Sequence, residues 1–159
     1  MSAPMDVSDI PKILVECEFF KDFDPEQIAS IALICNTLRL DAGELVYRQG
    51  GSGENLFIVA EGQVILERAV SVGARRGSVA VAVLGKGRVF GGWSTLLNQA
   101  HTLMLSAVCR KPCVLIALKG ADLRRLMTAD ISLGFAILER LCFLLRERLQ
   151  LALGAIETL

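Results

Sequence analysis

The chain has 159 residues, the length of one ordinary domain, and its 17 basic and 17 acidic side chains cancel to a formal net charge of zero. This balance provides no overall positive field, so we expect no nucleic-acid partner. Hydrophobic residues make up 53% of the chain, but charged, amide or glycine residues interrupt every apolar run before it reaches the roughly 18 residues of a membrane-spanning helix, which argues against a membrane protein.

The N-terminal segment and the cysteines indicate the compartment. Residues 1–12 contain two prolines and acidic residues, without the basic start and apolar core of a secretory signal. The five cysteines are odd in number and scattered through apolar runs, which is typical of buried thiols in a reducing environment. We therefore expect a cytoplasmic protein.

The first predicted elements are two short helices. Apolar residues recur at helical spacing from Ile10 to Leu38, interrupted by a turn over Asp22–Pro25. Asp24 suits the N-cap of the second helix and Pro25 its first position. The pattern predicts helices over about 10–38.

Short β-type runs separated by glycine-rich turns follow this helical region. They are rich in Val, Ile and Leu, and their close spacing is typical of a barrel or jelly roll. The runs are Glu44–Gln49, Asn55–Glu61, Gln63–Val70, Ser78–Leu84, Leu103–Cys109 and Cys113–Lys119.

Helical periodicity returns near residue 121. It predicts a short helix over Asp122–Met127 and a long one from Ile131 to about Leu153, with Asp130 as its N-cap. The complete pattern predicts one domain over 1–159 with a mainly β, double-stranded β-helix (jelly-roll) fold. Its β-roll covers about 39–119, between the N-terminal helices and C-terminal helices at about 121–153.

The long C-terminal helix carries two apolar stripes. We expect the first to pack on the roll or the N-terminal helices; it contains Ile131, Phe135, Leu138, Cys142, Leu145, Leu149 and Ala152. The second, Ile137, Leu144 and Leu151, repeats every seven residues and is interpreted as the seam of a homodimer. Alternatively, the N-terminal helices of the same chain cover both stripes.

Three short motifs, in this order, resemble the cyclic nucleotide-binding domain family. They are an aromatic corner over Phe19–Phe23, the segment Asp41–Gly50 and the segment Leu56–Val64. The resemblance extends over about residues 13–150, and it implies a β-roll that binds a cyclic nucleotide and regulates a partner.

The segment Val89–Thr102 falls where this family has its phosphate-binding cassette. The resemblance implies a turn and short helix over Gly91–Leu97, whose N–H groups hold the phosphate, with a Glu for the ribose and an Arg for the phosphate charge. Here Gly92 takes the Glu position and His101 the Arg position, so binding of cyclic AMP or cyclic GMP should be weakened or altered. The candidate ligand-binding residues are Phe90, Gly91, Gly92, Trp93, Ser94, Thr95, His101 and Thr102.

Two of these residues have more than one interpretation. Trp93 is the only tryptophan, and it either stacks on a nucleotide base or closes the end of the roll. His101 is the only histidine, and it is either a rim residue without a task or a phosphate contact.

The sequence predicts neither a metal site nor an enzyme. One histidine is too few for a metal-binding roll, and Cys109 and Cys113 have no second pair that would complete four ligands. No Ser, Cys or carboxylate pair has a partner at a catalytic spacing, and no glycine-rich loop carries a phosphate-binding Lys. We expect no metal and no cofactor.

Two functions remain open. The first is a stand-alone sensor in which ligand repositions the C-terminal helix. We expect it to lack the DNA-reading domain of related transcription factors, because the sequence stops at Leu159. The second is a roll that has lost ligand binding and serves as a dimerisation or docking scaffold.

Overall fold

The computed structural model describes residues 9–157. Helices lie at both ends and strands between them, which confirms the predicted mainly β roll with N-terminal helices and a long C-terminal helix. No helix in this part of the chain is long and apolar enough to cross a membrane. The helices are α1 (Ile10–Glu16), α2 (Pro25–Leu33), α3 (Trp93–Leu97), α4 (Gly120–Ala129) and α5 (Ile131–Glu157), with a 3₁₀ turn over Glu18–Phe20.

Within residues 9–157 the strands form two four-stranded sheets and one short ribbon, and all pairs are antiparallel. The sheet orders are β1-β10-β4-β7 and β2-β9-β5-β6, and β3 pairs with β8. The strands are β1 (Cys35–Leu40), β2 (Leu45–Tyr47), β3 (Ser52–Gly53), β4 (Asn55–Glu61), β5 (Val64–Val72), β6 (Arg75–Leu84), β7 (Val89–Gly91), β8 (His101–Thr102), β9 (Ser106–Cys109) and β10 (Cys113–Lys119).

The β1-β10-β4-β7 sheet separates two hydrophobic cores. On β4, Leu56 and Ile58 pack with the helices, whereas Phe57 and Val59 point into the roll. Successive residues of a strand face opposite sides, so a sheet covered on both sides needs continuous apolar strands. This explains why β4 and β10 are buried along almost their whole length.

The predicted N-terminal helices extended too far along the chain. Helix α2 ends at Leu33, and Cys35–Leu40 forms strand β1, which pairs with β10 in the register Cys35 to Leu118. The prediction of helix up to Leu38 was therefore wrong. The partner of β1 lies about eighty residues away in sequence, so local apolar spacing could not reveal the pairing.

The starts of α2 and α5 are linked through one glutamine. Asp24 caps α2 by accepting a hydrogen bond from the Gln27 backbone N–H at 2.9 Å, and Asp130 caps α5 by accepting one from Leu133 at 3.1 Å. The Gln27 side chain donates to the second oxygen of Asp130 at 3.2 Å. The hydrogen bond from Leu133 and, to a smaller extent, the one from Gln27 lower the pKa of Asp130. Both predicted caps are present.

The two stripes of α5 are not arranged as predicted, because part of the expected dimer seam is buried within the chain and much of the expected packing stripe is exposed. Ile137 is fully buried in the core formed by the helices and the first sheet, and Leu144 packs against the same core. A dimer seam through Ile137, Leu144 and Leu151 is therefore wrong. The stripe expected to pack inside is instead largely exposed at Ile131 (74%) and Phe135 (68%).

A close approach between α4 and α5 fixes this orientation. A Cβ at Gly134 would lie 2.5 Å from the carbonyl oxygen of Met127, so only glycine lets the first turn of α5 sit against the end of α4. This contact turns Leu133, Ile137 and Leu141 inward, and all three are buried. Both stripes are apolar, so their period alone does not show which one faces the core.

Candidate ligand-binding site

A cavity of about 570 Å³ lies between the roll and the second half of α5. Its size is within the range of small-molecule sites, about 300–1,000 Å³. The roll supplies Tyr47, Leu66, Arg68, Val81, Gly91, Trp93, His101, Leu103, Met104 and Leu105; the helix supplies Leu144, Leu145, Arg146, Arg148, Leu149 and Ala152. Any occupant would therefore contact both the roll and α5.

The cassette has the predicted turn and short helix. Strand β7 ends at Gly91, both Gly91 and Gly92 have positive φ (81° and 96°), and α3 begins at Trp93. A Cβ at Gly91 would lie 2.6 Å from the carbonyl oxygen of Asn55, so the chain passes too close to β4 for any larger residue. Glycine is needed here for the backbone.

The position of the missing carboxylate is closed by packing. A Cβ at Gly92 would lie 2.8 Å from Leu56 Cδ1 and 3.0 Å from Leu141 Cδ2. The left-handed backbone at Gly92 also disfavours any side chain. A side chain at this position would therefore have to displace the buried side chains of Leu56 and Leu141.

Three of the eight predicted site residues line the cavity: Gly91, Trp93 and His101. Phe90 points into the roll and stacks on Phe57, with ring centroids 5.1 Å apart, and Thr102 pairs with Ser52 in the β3–β8 ribbon. Phe90, like Gly92, is buried and does not line the cavity, whereas Thr102 is exposed outside it.

Ser94 and Thr95 face the start of α4 instead of the cavity. Both side chains are buried, and among the described residues their hydroxyls have no hydrogen-bond partner. A Cβ at Gly120 would clash with Ser94 Oγ and would lie 3.0 Å from Thr95 Oγ1. Arg124 of α4 donates to the Thr95 carbonyl at 3.2 Å, so this face of α3 is held by α4.

His101 forms part of the cavity wall beside Trp93, with ring centroids 6.4 Å apart. Its ring lies against Gly53, where a Cβ would be 2.8 Å from His101 Cε1. Nδ1 is buried, and no partner for it is found among the described residues. Burial lowers the pKa of His101 below its usual value, so the neutral ring predominates at pH 7.

Arg148 is a cavity residue that no sequence motif indicated. Its Nη2 donates to the Val89 carbonyl at 2.7 Å, and its Nη1 donates to Glu147 at 3.2 Å. Its side chain is only 13% exposed, and burial lowers its pKa. Its position four residues after Leu144, on the same helix face, is the signal that could have identified it.

The ionisable groups of the cavity wall are basic apart from Tyr47. Arg68, Arg146, Arg148 and His101 line it, and no Asp or Glu of the described residues does. Burial raises the pKa of Tyr47, and the nearby Arg148 opposes this shift. The site therefore offers positive charge on a mainly apolar surface.

The cysteines show no metal-binding arrangement. Cys109 and Cys113 are buried free thiols. Burial and, to a smaller extent, the neighbouring Cys113 raise the pKa of Cys109 to about 12. Such a thiol is a poor ligand, because metals bind the thiolate. Within residues 9–157, no three His, Cys, Asp or Glu side chains gather as a metal site would require.

Comparison with known proteins agrees with this architecture. Residues 37–130 match the model of the cyclic nucleotide-binding domain. A candidate potassium channel protein from Rhodopseudomonas palustris is 30% identical over 115 residues, covering 72% of this chain and 26% of the relative. The chain thus spans about a quarter of that relative's length.

Solved structures show the same fold. A cyclic nucleotide-binding domain from Methylobacillus flagellatus superposes with a TM-score of 0.73 at 22% identity, covering 91% of this chain and 78% of that one. A candidate cyclic nucleotide-binding protein from Geobacter metallireducens gives 0.71 at 24% identity, covering 87% and 97%. Together with the matched domain model, the roll, the cassette turn and the helices identify the chain as a member of the cyclic nucleotide-binding domain family.

Proposed function

We propose that the chain is a ligand-sensing regulatory module whose roll cavity binds a small molecule and whose α5 reports that binding. One observation carries this proposal: the cavity lies between the cassette residues Gly91 and Trp93 and the second half of α5. A ligand that contacts both walls stabilises one position of α5 over others, which is how binding shifts a conformational equilibrium.

Arg148 provides a physical link for this response. It joins α5 to the Val89 carbonyl, two residues before Gly91. An anionic ligand in the cavity competes for the guanidinium N–H groups and so changes how α5 is held against β7. The response requires no change in the roll itself.

We further propose that affinity for cyclic nucleotides is weaker than in relatives with a complete cassette. Gly92 provides no carboxylate for the ribose, and His101 provides a mostly neutral ring in place of a permanent cation. If each lost charged hydrogen bond costs about 1.5–3 kcal/mol, the two losses together weaken binding by roughly two to four decades.

Isothermal titration with cyclic AMP and cyclic GMP tests this function. We expect weak, saturable heat that disappears in Ala152→Phe, which fills the cavity from α5, but remains in Leu153→Phe, whose side chain is 55% exposed. Heat that is unchanged in Ala152→Phe would show that any binding lies elsewhere.

A second candidate function is a dimerisation scaffold, favoured by the exposed stripe of α5 and by the closed space at Gly92. Phe135, Cys142, Leu149 and Ile156 are exposed and repeat every seven residues, and Leu138, Leu145 and Ala152 lie between them. This alternation is the a/d pattern of a two-stranded coiled coil, and a second copy of the chain supplies the matching stripe.

The charges beside the stripe favour an antiparallel pair of α5 helices. Glu139 and Arg146 flank it at equivalent positions seven residues apart and carry opposite charges. In an antiparallel two-fold pair, Glu139 of each copy lies near Arg146 of the other. The homodimer thus remains our proposal, with a different surface from the predicted seam.

Sedimentation of Phe135→Glu tests the scaffold. We expect a folded monomer, because each copy would place an unpaired carboxylate in an apolar seam. Gln150→Glu is the matched control, since Gln150 is exposed and lies off the stripe, and it should remain dimeric. A wild-type chain that is monomeric at high concentration would contradict the proposal.

We also propose a cytoplasmic location. All five cysteines are free thiols, and four of them are buried. This use of cysteine suits a reducing compartment. Localisation of a fluorescent fusion of the full chain tests it, and a signal outside the cytoplasm would contradict it.

A further inference from the structure

The walls of the cavity differ from those that a sugar phosphate needs. Nine of its lining residues are aliphatic or thioether side chains, and no carboxylate is available among the described lining residues to accept hydrogen bonds from sugar hydroxyls. Burying such hydroxyls without partners costs free energy. The body of a well-matched ligand is therefore apolar.

A cluster beside the cavity has more positive than negative charge. Glu147 pairs with Arg88 at 2.6 Å and with Arg148 at 3.2 Å, so one carboxylate serves two guanidinium groups. Arg148 is the more buried of the two, and it also lines the cavity. A buried charge that is only partly compensated is destabilising, and an anion placed in the cavity would offset it.

Arg68 adds a second cation from the opposite wall. It lies on β5, where its Nη1 donates to the neutral Met104 carbonyl at 2.6 Å. Arg146 is the third guanidinium of the lining, and its Cζ lies 5.2 Å from the centre of the Phe143 ring. Among the described residues, the charged groups of the wall thus include three permanent cations and no anion.

We propose that the cavity binds a small carboxylate with an apolar body, an aryl or alkyl carboxylic acid anion, whose carboxylate is held by Arg148 and Arg68. The apolar body lies among Trp93, Leu103 and Leu145. A guanidinium matches a carboxylate with two parallel hydrogen bonds, which gives both affinity and orientation. This inference rests on the proposed sensor function, for which it names the ligand class.

Trp93 provides the readout. It is the only tryptophan of the chain and it lines the cavity, so its fluorescence reports an occupant directly. The probes are 3-phenylpropionate and octanoate, with 3-phenylpropan-1-ol and octan-1-ol as neutral analogues, and cyclic AMP as the nucleotide. We expect the carboxylates to bind at least about tenfold more tightly than the alcohols. Comparison of the phenyl compounds with the octyl compounds shows which apolar body fits the cavity.

Charge variants test the anion contact. Arg68→Gln should weaken carboxylate binding about tenfold or more, because a charged hydrogen bond is lost. Arg75→Gln is the matched control, on the neighbouring strand of the same hairpin but outside the cavity lining, and should bind normally. Arg148→Lys keeps the charge but not the two-pronged geometry, and should also bind more weakly.

The outcomes separate this inference from the sensor function. Alcohols that bind as well as the carboxylates, or an Arg68→Gln protein with unchanged affinity, would overturn the carboxylate assignment. Binding of cyclic AMP alone would overturn it while supporting the sensor function. No response to any of the five compounds would overturn both.

Discussion

The two halves of α5 contact the rest of the molecule differently. Leu133, Ile137 and Leu141 in the first half are buried in the main core. In the second half, Leu149 and Leu153 are exposed by 60% and 55%, and polar contacts to Val89 and Arg88 attach the helix to the roll. The first half is therefore a structural element, whereas the second half is a wall of the cavity, which we propose a ligand repositions.

The largest effect should come from the first half. Ile137→Ala should lower the free energy of unfolding by about 2–5 kcal/mol, because it leaves a cavity in a well-packed core. Leu149→Ala, on the exposed side of the second half, should change it by less than about 1 kcal/mol. Urea unfolding measures both, and similar losses for the two variants would contradict the comparison.

Restoring the missing carboxylate should damage the protein. Gly92→Glu combines a left-handed backbone with contacts to Leu56 and Leu141, which together should cost about 2–5 kcal/mol. Gly77→Ala is the control, because Gly77 lacks positive φ and a Cβ there meets nothing within 4 Å. A Gly92→Glu protein that is as stable as wild type and gains cyclic AMP binding would contradict this expectation. It would show that the packing around Gly92 still admits the Glu side chain of a complete cassette.

A smaller effect is expected for the link between α5 and β7. Arg148→Met should destabilise the protein by about 1–3 kcal/mol, because the Val89 carbonyl and Glu147 lose a charged donor. Arg146→Met should change stability by less than about 0.5 kcal/mol, since its side chain is exposed. Equal urea midpoints for the two variants would show that Arg148 does not stabilise the contact between α5 and β7.

The smallest effect concerns pH. Because burial lowers the pKa of His101 below 6.5, affinity for an anion should be flat above about pH 6.5 and rise as the pH falls further and the ring gains its proton. The cations Arg68, Arg146 and Arg148 keep their charge over this range, and Tyr47, with its raised pKa, stays neutral. Titration of octanoate between pH 5.5 and 8 measures the profile. His101→Gln should abolish the rise, and an unchanged profile in that variant would exclude His101 from the site.

Much of the roll could be predicted from the sequence. The runs Asn55–Glu61 and Cys113–Lys119 match β4 and β10 residue for residue, because glycine or proline turns bound strands that are apolar throughout. β1, β3, β7 and β8 were missed. β1 depends on a distant partner, and the other three contain only two or three residues each, too few for a pattern.

The candidate site was predicted less well, for two physical reasons. The cassette motif located the turn and α3, but backbone geometry turns Ser94 and Thr95 toward Gly120 and away from the cavity. Arg148 reaches the cavity only because Gly134 sets the rotation of α5 against α4. Such contacts depend on packing between distant segments, which no local motif contains.

Hydrogen–deuterium exchange along α5 tests the central claim most directly. It should be measured without ligand and with millimolar cyclic AMP, cyclic GMP or octanoate. At least one ligand should slow exchange in residues 143–157 while leaving residues 133–141, already protected by the core, unchanged. Exchange in residues 143–157 that no ligand alters, or equal changes in both halves, would contradict a cavity that communicates through α5.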